Sequence, residues 1–180
     1  MPINIEIKAH CRDLNKIREI LKSHKADFKG VDHQIDTYFH SKNGRLKLRE
    51  GNIENNLIHY EREDKQGCKE SQFSLYKTET ESGLKNILEK ALGKKCVVEK
   101  DREIYFIENV KFHLDTVKNL GTFIEIEASN KDHNLTKDKL QEQSNFYIKL
   151  LQINAKDFIS ESYSDLLQQN SLFSQILIEE

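Results

Sequence analysis

Charged side chains recur at every second position in several stretches of this sequence. The residues in these runs are Glu6 and Lys8; Arg45, Lys47 and Arg49; Arg62; Lys100 and Arg102; Lys111, His113 and Asp115; and Glu125 and Glu127. Because successive side chains of a β-strand point to opposite faces, each run places its ions on one face of a strand. Lysine and arginine account for eight of these residues and carboxylates for four.

This inventory fits one class of ligand, a triphosphate held together with a divalent metal. A triphosphate carries roughly one to two negative charges per phosphate group. Arginine offers a planar fork to phosphate oxygens, and lysine offers a compact point charge. The carboxylates would hold a hard cation, Mg²⁺ or Mn²⁺, through oxygen ligands, and such ions bridge phosphate oxygens.

The elements that carry these runs are about eight strands with three helices between them. We predict strands over 2–8, 28–40, 45–50, 57–62, 72–78, 97–107, 110–115 and 122–128, and helices over 13–22, 81–92 and 137–151. One alternating strand is usually the solvated half of a sheet, but the ionic pattern recurs on six strands. The apolar stripes of the helices must cover the apolar faces of the strands, so the ionic faces point away from the helices.

A sheet closed on itself would hold those ionic faces inside, where charges must be paired or hold a ligand. The sequence therefore predicts an α+β protein: a closed or nearly closed antiparallel β-barrel of about eight strands, with helices packed outside. Asn43-Gly44 predicts a tight hairpin turn, and Gly93 predicts the end of the second helix. We expect one domain over 1–167 and a C-terminal tail over 168–180, either an appended helix or a frayed end.

Composition narrows the partners and the location. The 180 residues carry 28 Lys+Arg and 30 Asp+Glu, a formal charge of -2, which lacks the basic excess of nucleic-acid binders. Three widely spaced cysteines, Cys11, Cys68 and Cys96, indicate neither a disulfide framework nor a zinc site. No signal peptide and no apolar run of membrane-spanning length is seen. We therefore predict a cytoplasmic protein that binds neither nucleic acid nor membrane.

An ordered set of motifs resembles the CYTH superfamily, the triphosphate tunnel metalloenzymes. The sequence NIEIK at 4–8 is similar to the ExExK signature of that superfamily. The further matches, in the family order, are DHQIDTYF at 32–39, GRLKLRE at 44–50, LIHYER at 57–62, EKDREIYF at 99–106, HLDTVKNLGTFIEIE at 113–127 and SYSDLL at 162–167. The resemblance covers nearly the whole chain to Leu167 and is greatest to the class IV adenylate cyclase-like branch.

The resemblance implies roles for individual residues. It implies that Mg²⁺ or Mn²⁺ is held by Glu6, Glu125 and Glu127, with Asn4 standing where the signature has its first glutamate. An amide ligates a metal without adding charge, so Asn4 is a departure that bears on metal affinity. The implied triphosphate ligands are Lys8, Arg49, Arg62, Lys100 and Arg102, with Arg45 and Lys47 on the same strand face as Arg49. Lys8, Lys100 and Asp115 are the candidate catalytic residues, and Asp115 could hold a metal or orient a base.

Three functions remain open from the sequence. An adenylate cyclase would convert ATP to cyclic AMP and pyrophosphate. A triphosphatase would add water to the terminal phosphorus of inorganic triphosphate or of an organic one such as thiamine triphosphate. The third alternative is a non-catalytic protein that binds triphosphate or polyphosphate. The expected partner is a small-molecule triphosphate, and a homodimer is left open.

Overall fold

The structure, a computed structural model, describes residues 3–62, 67–131 and 134–176, except the side chains of residues 62 and 172–176. Within these ranges the chain forms eight strands, four α-helices and one 3-10 turn. In chain order they are β1 Ile3–His10, α1 Leu14–Ser23, β2 Asp27–Phe39, β3 Arg45–Glu50, β4 Asn56–Arg62, β5 Lys69–Lys77, α2 Leu84–Leu92, β6 Lys94–Ile107, β7 Val110–Val117, β8 Gly121–Ser129, α3 Lys137–Leu150, the 3-10 turn Ala155–Asp157 and α4 Tyr163–Ile176.

The eight strands form a single closed ring. Its order is β1-β5-β4-β3-β2-β6-β7-β8, with β8 pairing back to β1, and the neighbours are antiparallel. The predicted α+β class and antiparallel barrel of about eight strands are therefore confirmed.

Strand β1 shows how the sequence separates the two faces of the barrel wall. Ile5 and Ile7 are 1% exposed and belong to the main apolar core, together with Leu21 of α1 and Leu140 of α3. Burial of each such side chain contributes about 1.5–3 kcal/mol, so the helices are held to the outside of the barrel. The alternate residues of β1 point inward. The strand is thus buried on both faces, apolar outside and ionic inside.

The segment 158–163 closes one end of the barrel. The Ile159 amide donates to the Lys8 carbonyl (2.9 Å), and the Lys69 ammonium donates to the Ile159 and Ser160 carbonyls (3.0 and 2.6 Å). Ser162 and Asp165 then start α4 with a reciprocal capping box, since each side chain accepts the backbone N–H of the other. These contacts fix α4 against the same end.

Some local expectations were wrong and others are confirmed. Asn43-Gly44 does not make a tight turn, because β2 ends at Phe39 and a five-residue connection, 40–44, leads to β3. Its Asn43 carbonyl accepts hydrogen bonds from Ser41 and from the His59 ring, which stabilise the wider loop. The end of α2 at Gly93 is confirmed, with φ at +76°. The expected boundary at residue 167 falls inside α4.

Among the described residues, no helix has both the length and the apolar character that crossing a membrane requires.

Candidate functional site

The inward faces of the strands enclose a cavity of about 380 Å³. Eleven of the residues singled out in the sequence line it: Asn4, Glu6, Lys8, Lys47, Arg49, Lys100, Arg102, Lys111, His113, Glu125 and Glu127. Arg45 lies off this wall, where its guanidinium donates to Asp165 (3.0 Å). Asp115 is fully buried in the interior, under Arg102 and Tyr163, and does not line the cavity. Arg62 belongs to β4, and its side chain lies outside the described part of the chain.

One carboxylate gathers three of the cations. Asp36 of β2 accepts two hydrogen bonds from Arg49 (2.8 and 3.0 Å), one from Lys47 (2.8 Å) and one from Lys100 (2.8 Å). Although burial opposes ionisation, Arg49 and the two ammonium groups hold the Asp36 pKa well below its usual range. Arg49 also donates to Glu54 (2.8 Å), which pairs with Lys111 as well (3.1 Å). Four cations therefore face two carboxylates, and this surplus of positive charge suits them to bind a polyanion.

Lys100 is the least compensated member of this group. Its side chain is 1% exposed, and burial together with the neighbouring Arg49, Arg102 and Lys47 lowers its pKa to about 7 even though Asp36 opposes the shift. The Asp36 carboxylate stabilises the ammonium incompletely, because two other cations share it. At neutral pH the Lys100 amine can therefore either donate or accept a proton.

A second buried group positions Arg102. The Arg102 guanidinium donates to both oxygens of Asp115 (2.7 and 2.6 Å) and to Glu125 (2.8 Å). The Tyr163 hydroxyl of α4 donates to Asp115 (2.7 Å), and the Lys8 ammonium lies 3.9 Å from the Tyr163 ring centroid. Asp115 thus touches Arg102 and Tyr163 rather than the cavity, and it fixes the direction in which the guanidinium points.

The third group is a cluster of oxygen and nitrogen donors on β7 and β8. Each of Glu125, Glu127 and His113 offers a potential metal-ligating atom, and these atoms lie within 4.8 Å of one another. Burial and the nearby Glu125 and Glu6 carboxylates raise the Glu127 pKa to about 7. Burial and Arg102 lower the His113 pKa to about 4, so its imidazole is neutral with a lone pair available. Carboxylates crowded in this way are stabilised by a bound cation.

Strand register brings Asn4 and Glu6 beside this cluster. Glu6 is the direct partner of Glu127 across β1 and β8, and Asn4 is two residues away on the same face. The Oδ1 atom of Asn4 and the Nε2 atom of His113 are buried, and neither has a hydrogen-bond partner among the described residues. A buried acceptor without a partner is costly unless a ligand satisfies it. The donor set of carboxylates, an amide oxygen and an imidazole therefore fits a divalent metal.

Sequence reasoning missed the two carboxylates that pair with the cations of the site, Asp36 and Glu54. Asp36 alternates with Asp32 and Gln34 along β2, so the every-second-residue signal was present but was not applied to that strand. Glu54 lies in the β3–β4 loop and accepts from Arg49 (2.8 Å) and Lys111 (3.1 Å). No periodic signal marks a loop residue. Asp32 of β2 accepts a hydrogen bond from the Glu54 amide (3.0 Å). This contact, which exists only in the folded protein, turns the loop toward the cavity.

The fold and the site together define a class of protein. It is a closed antiparallel barrel whose interior holds more cations than anions beside a cluster of carboxylates. Such an interior can bind a polyanion together with a metal. Residues 2–163 match the CYTH domain family, and the chain belongs to that family. CYTH proteins bind triphosphates and depend on metal.

Comparisons with known proteins agree with this assignment. A protein of Methanocaldococcus jannaschii named "Putative adenylate cyclase" is 32% identical over 177 residues, which cover 91% of this chain and 98% of that protein. A solved structure from Pyrococcus horikoshii has a TM-score of 0.76 at 22% identity and covers 91% of this chain and 98% of its own. A Hippeastrum structure (TM-score 0.64, 12% identity, 94% and 96% covered) is described as a "Putative adenylyl cyclase" with a dominant triphosphatase activity. At these identities the two structures show the shared fold.

Replacement of Asn4 by glutamate tests its place in the metal site. Asn4→Glu adds a charged oxygen ligand, so we expect the metal concentration for half-maximal binding to fall by about tenfold, the order of change produced by groups close to a metal. Titration with Mg²⁺ and with Mn²⁺, followed calorimetrically, measures the change. Asn86→Glu, on the exposed side of α2, is the control for added charge. A folded Asn4→Glu protein with the wild-type metal dependence would place Asn4 outside the ligand set.

Proposed function

We propose that this protein is a divalent-metal-dependent adenylate cyclase of the class IV type, which converts ATP to cyclic AMP and pyrophosphate. The observation that carries the proposal is the juxtaposition, in one cavity, of the three cations on Asp36 with the donor cluster of Glu125, Glu127 and His113. The name of the Methanocaldococcus jannaschii relative supports the choice of reaction.

The triphosphate is assigned to the cationic side of the cavity. Lys47, Arg49 and Lys100 bind phosphate oxygens there, with Asp36 holding the three side chains in place between turnovers. Lys8 and Arg102 extend this surface toward the carboxylate cluster. We also assign Arg62 and Arg45 to the triphosphate, Arg45 by exchange of its contact with Asp165. Fixed arginine forks bind phosphate oxygens in pairs, which orients the chain of phosphates.

The metal ligands we propose are Glu6, Glu125 and Glu127, with the Asn4 amide oxygen and the His113 imidazole beside them. When bound, Mg²⁺ or Mn²⁺ would neutralise charge on the phosphate oxygens and stabilise the charge that develops on them during transfer. Ligation requires Glu127 to lose its proton. Because its pKa is about 7, metal affinity should rise as the pH increases through neutrality.

The reaction forms one bond and breaks one. The 3′ oxygen bonds to the α-phosphorus, the bond from that phosphorus to the bridging oxygen breaks, and pyrophosphate leaves with the electron pair. The proton of the 3′-hydroxyl must go to a base, and we assign this role to the neutral form of Lys100, which its pKa of about 7 makes available. The Lys100 ammonium that forms on proton transfer then binds phosphate oxygens. Lys8 stabilises phosphate, while Asp115 orients Arg102.

Product analysis tests this function against its alternatives. The protein is incubated separately with ATP, inorganic triphosphate and thiamine triphosphate, each with Mg²⁺ and with Mn²⁺, and the products are separated by chromatography. Cyclic AMP and pyrophosphate in equal amounts are the expected result. Release of orthophosphate instead would identify a triphosphatase. Tight binding of a triphosphate without any product would identify a binding protein.

A cytoplasmic location is also proposed. Its support is that Cys11, Cys68 and Cys96 are all free thiols, as expected in a reducing compartment.

A further inference from the structure

Two neighbouring strands, β4 and β5, have no charged side chain at the middle of their inward faces. At the middle of β4 and β5 the inward residues are apolar or aromatic, and they face each other in cross-strand pairs, Ile58 with Leu75 and Tyr60 with Phe73. All four line the cavity, and we call them the neutral wall. Each of the other six strands contributes at least one charged side chain to the interior, although Tyr38 of β2 and Phe106 of β6 also line the cavity. The cavity therefore has two chemically different sides.

The neutral wall reaches the open end of the barrel. Leu75 is 46% exposed although its neighbour Phe73 is half-buried, whereas the opposite end is closed by 158–163. Tyr60 packs in part against the smaller apolar cluster that contains Tyr38 and Tyr163, whereas Ile58, Phe73 and Leu75 belong to neither apolar core cluster of the described residues. Ligand cavities typically combine such apolar surface with a few fixed polar groups, and a ligand gains affinity by covering it.

The neutral wall is continuous with the cationic side of the site. The Lys47 ammonium, which donates to Asp36, lies 5.8 Å from the Tyr60 ring centroid, and the Arg45 guanidinium lies 6.0 Å from the same centroid. The Tyr38 ring centroid lies 5.4 Å from the same ammonium. A ligand whose phosphates lie against Lys47 therefore has its next group beside Tyr38 or Tyr60, and Phe73 is the cross-strand partner of Tyr60. Inorganic triphosphate has no group to place there, whereas an organic ester of triphosphate does.

We propose that the neutral wall binds the ring of an organic triphosphate, so that the cavity selects ring-bearing triphosphates over inorganic triphosphate. This rests on the triphosphate site of the proposed function. A nucleobase and a thiazolium or pyrimidine ring share the required chemistry, a flat face that packs on aromatic and aliphatic side chains. Removal of an aromatic partner of this kind costs about 1–3 kcal/mol per base, or about 5- to 150-fold in affinity.

The test compares three variants of one strand. Phe73→Ala removes the aromatic face, Phe73→Leu keeps apolar bulk without the ring, and Tyr76→Ala is the matched control because Tyr76 points outward and is 71% exposed. Calorimetry with Mn²⁺ measures binding of methylene-bridged analogues of ATP and of inorganic triphosphate, which do not react. Thiamine triphosphate is added as a competitor of the ATP analogue to distinguish the two kinds of ring.

For Phe73→Ala we expect about tenfold weaker binding of the ATP analogue and less than a twofold change for the inorganic analogue, with a smaller loss for Phe73→Leu and none for Tyr76→Ala. Equal loss for both analogues, or no loss for either, overturns the neutral wall as a ring site while leaving the triphosphate site intact. Absence of binding of both analogues to the wild-type protein refutes the triphosphate site, and the ring site with it.

Discussion

Glu125→Gln is expected to lower metal affinity, and with it the proposed formation of cyclic AMP, by about 100-fold or more. Glu125 lies at the centre of the site, because it accepts from Arg102 (2.8 Å), lies 3.4 Å from His113 Nδ1 and pairs with Lys8 at 3.8 Å. The substitution keeps the shape of the side chain and removes one negative charge. Loss of a direct ligand should exceed the 10- to 100-fold effect of the groups that support ligands.

Metal titration and initial rates measured on the same preparation test this expectation. Glu99→Gln is the control. Glu99 also lies on a barrel strand, β6, but its ion pair with Lys118 is at the surface of the protein. Circular dichroism and a denaturant curve establish that the variant is folded. An unchanged metal titration in Glu125→Gln would remove this residue from the metal site, and the cluster would then rest on Glu6, Glu127 and His113.

Asp115→Asn should give the largest loss of stability among the variants considered. It removes the charge that compensates Arg102 in a place where Asp115 is fully buried and Arg102 is 3% exposed. Breaking one partner of such a pair leaves a buried charge uncompensated and costs about 3–5 kcal/mol in the free energy of unfolding. The affinity for triphosphate should fall as well, because the guanidinium is no longer held in position.

Urea unfolding at constant pH measures the change. Glu103→Gln is the matched control: it breaks the Arg18–Glu103 pair on the outer face of the barrel, and a partly exposed pair contributes only about 0–1 kcal/mol. Asp115 touches Arg102 and Tyr163 and does not line the cavity. The metal affinity of Asp115→Asn should therefore stay close to that of the wild-type protein. The opposite pattern, wild-type stability with a tenfold loss of metal affinity, would make Asp115 a metal ligand.

The sequence by itself determined the barrel and the chemistry of its interior. The alternation Ile5, Glu6, Ile7, Lys8 is a local property, since neighbouring side chains of any strand point to opposite sides. Many strands carry apolar residues on one face and ionic residues on the other, and few folds can bury both faces. A closed ring of strands covered by helices is one such fold. Glu6, Arg49, Lys100 and Glu125 accordingly line one cavity although they are far apart in the chain.

Only the tertiary structure decided how deep each charged residue lies and what it touches. Arg45 and Asp115 share the alternation of their strands, yet one pairs with α4 and the other lies behind Arg102. Asp36 holds three cations, and Glu54 arrives on a loop. The physical reason is that such contacts depend on register between strands distant in sequence and on how loops and α4 pack against the barrel. No pattern within a single strand encodes that register, and the same holds for the neutral wall, which exists only because β4 and β5 lie side by side.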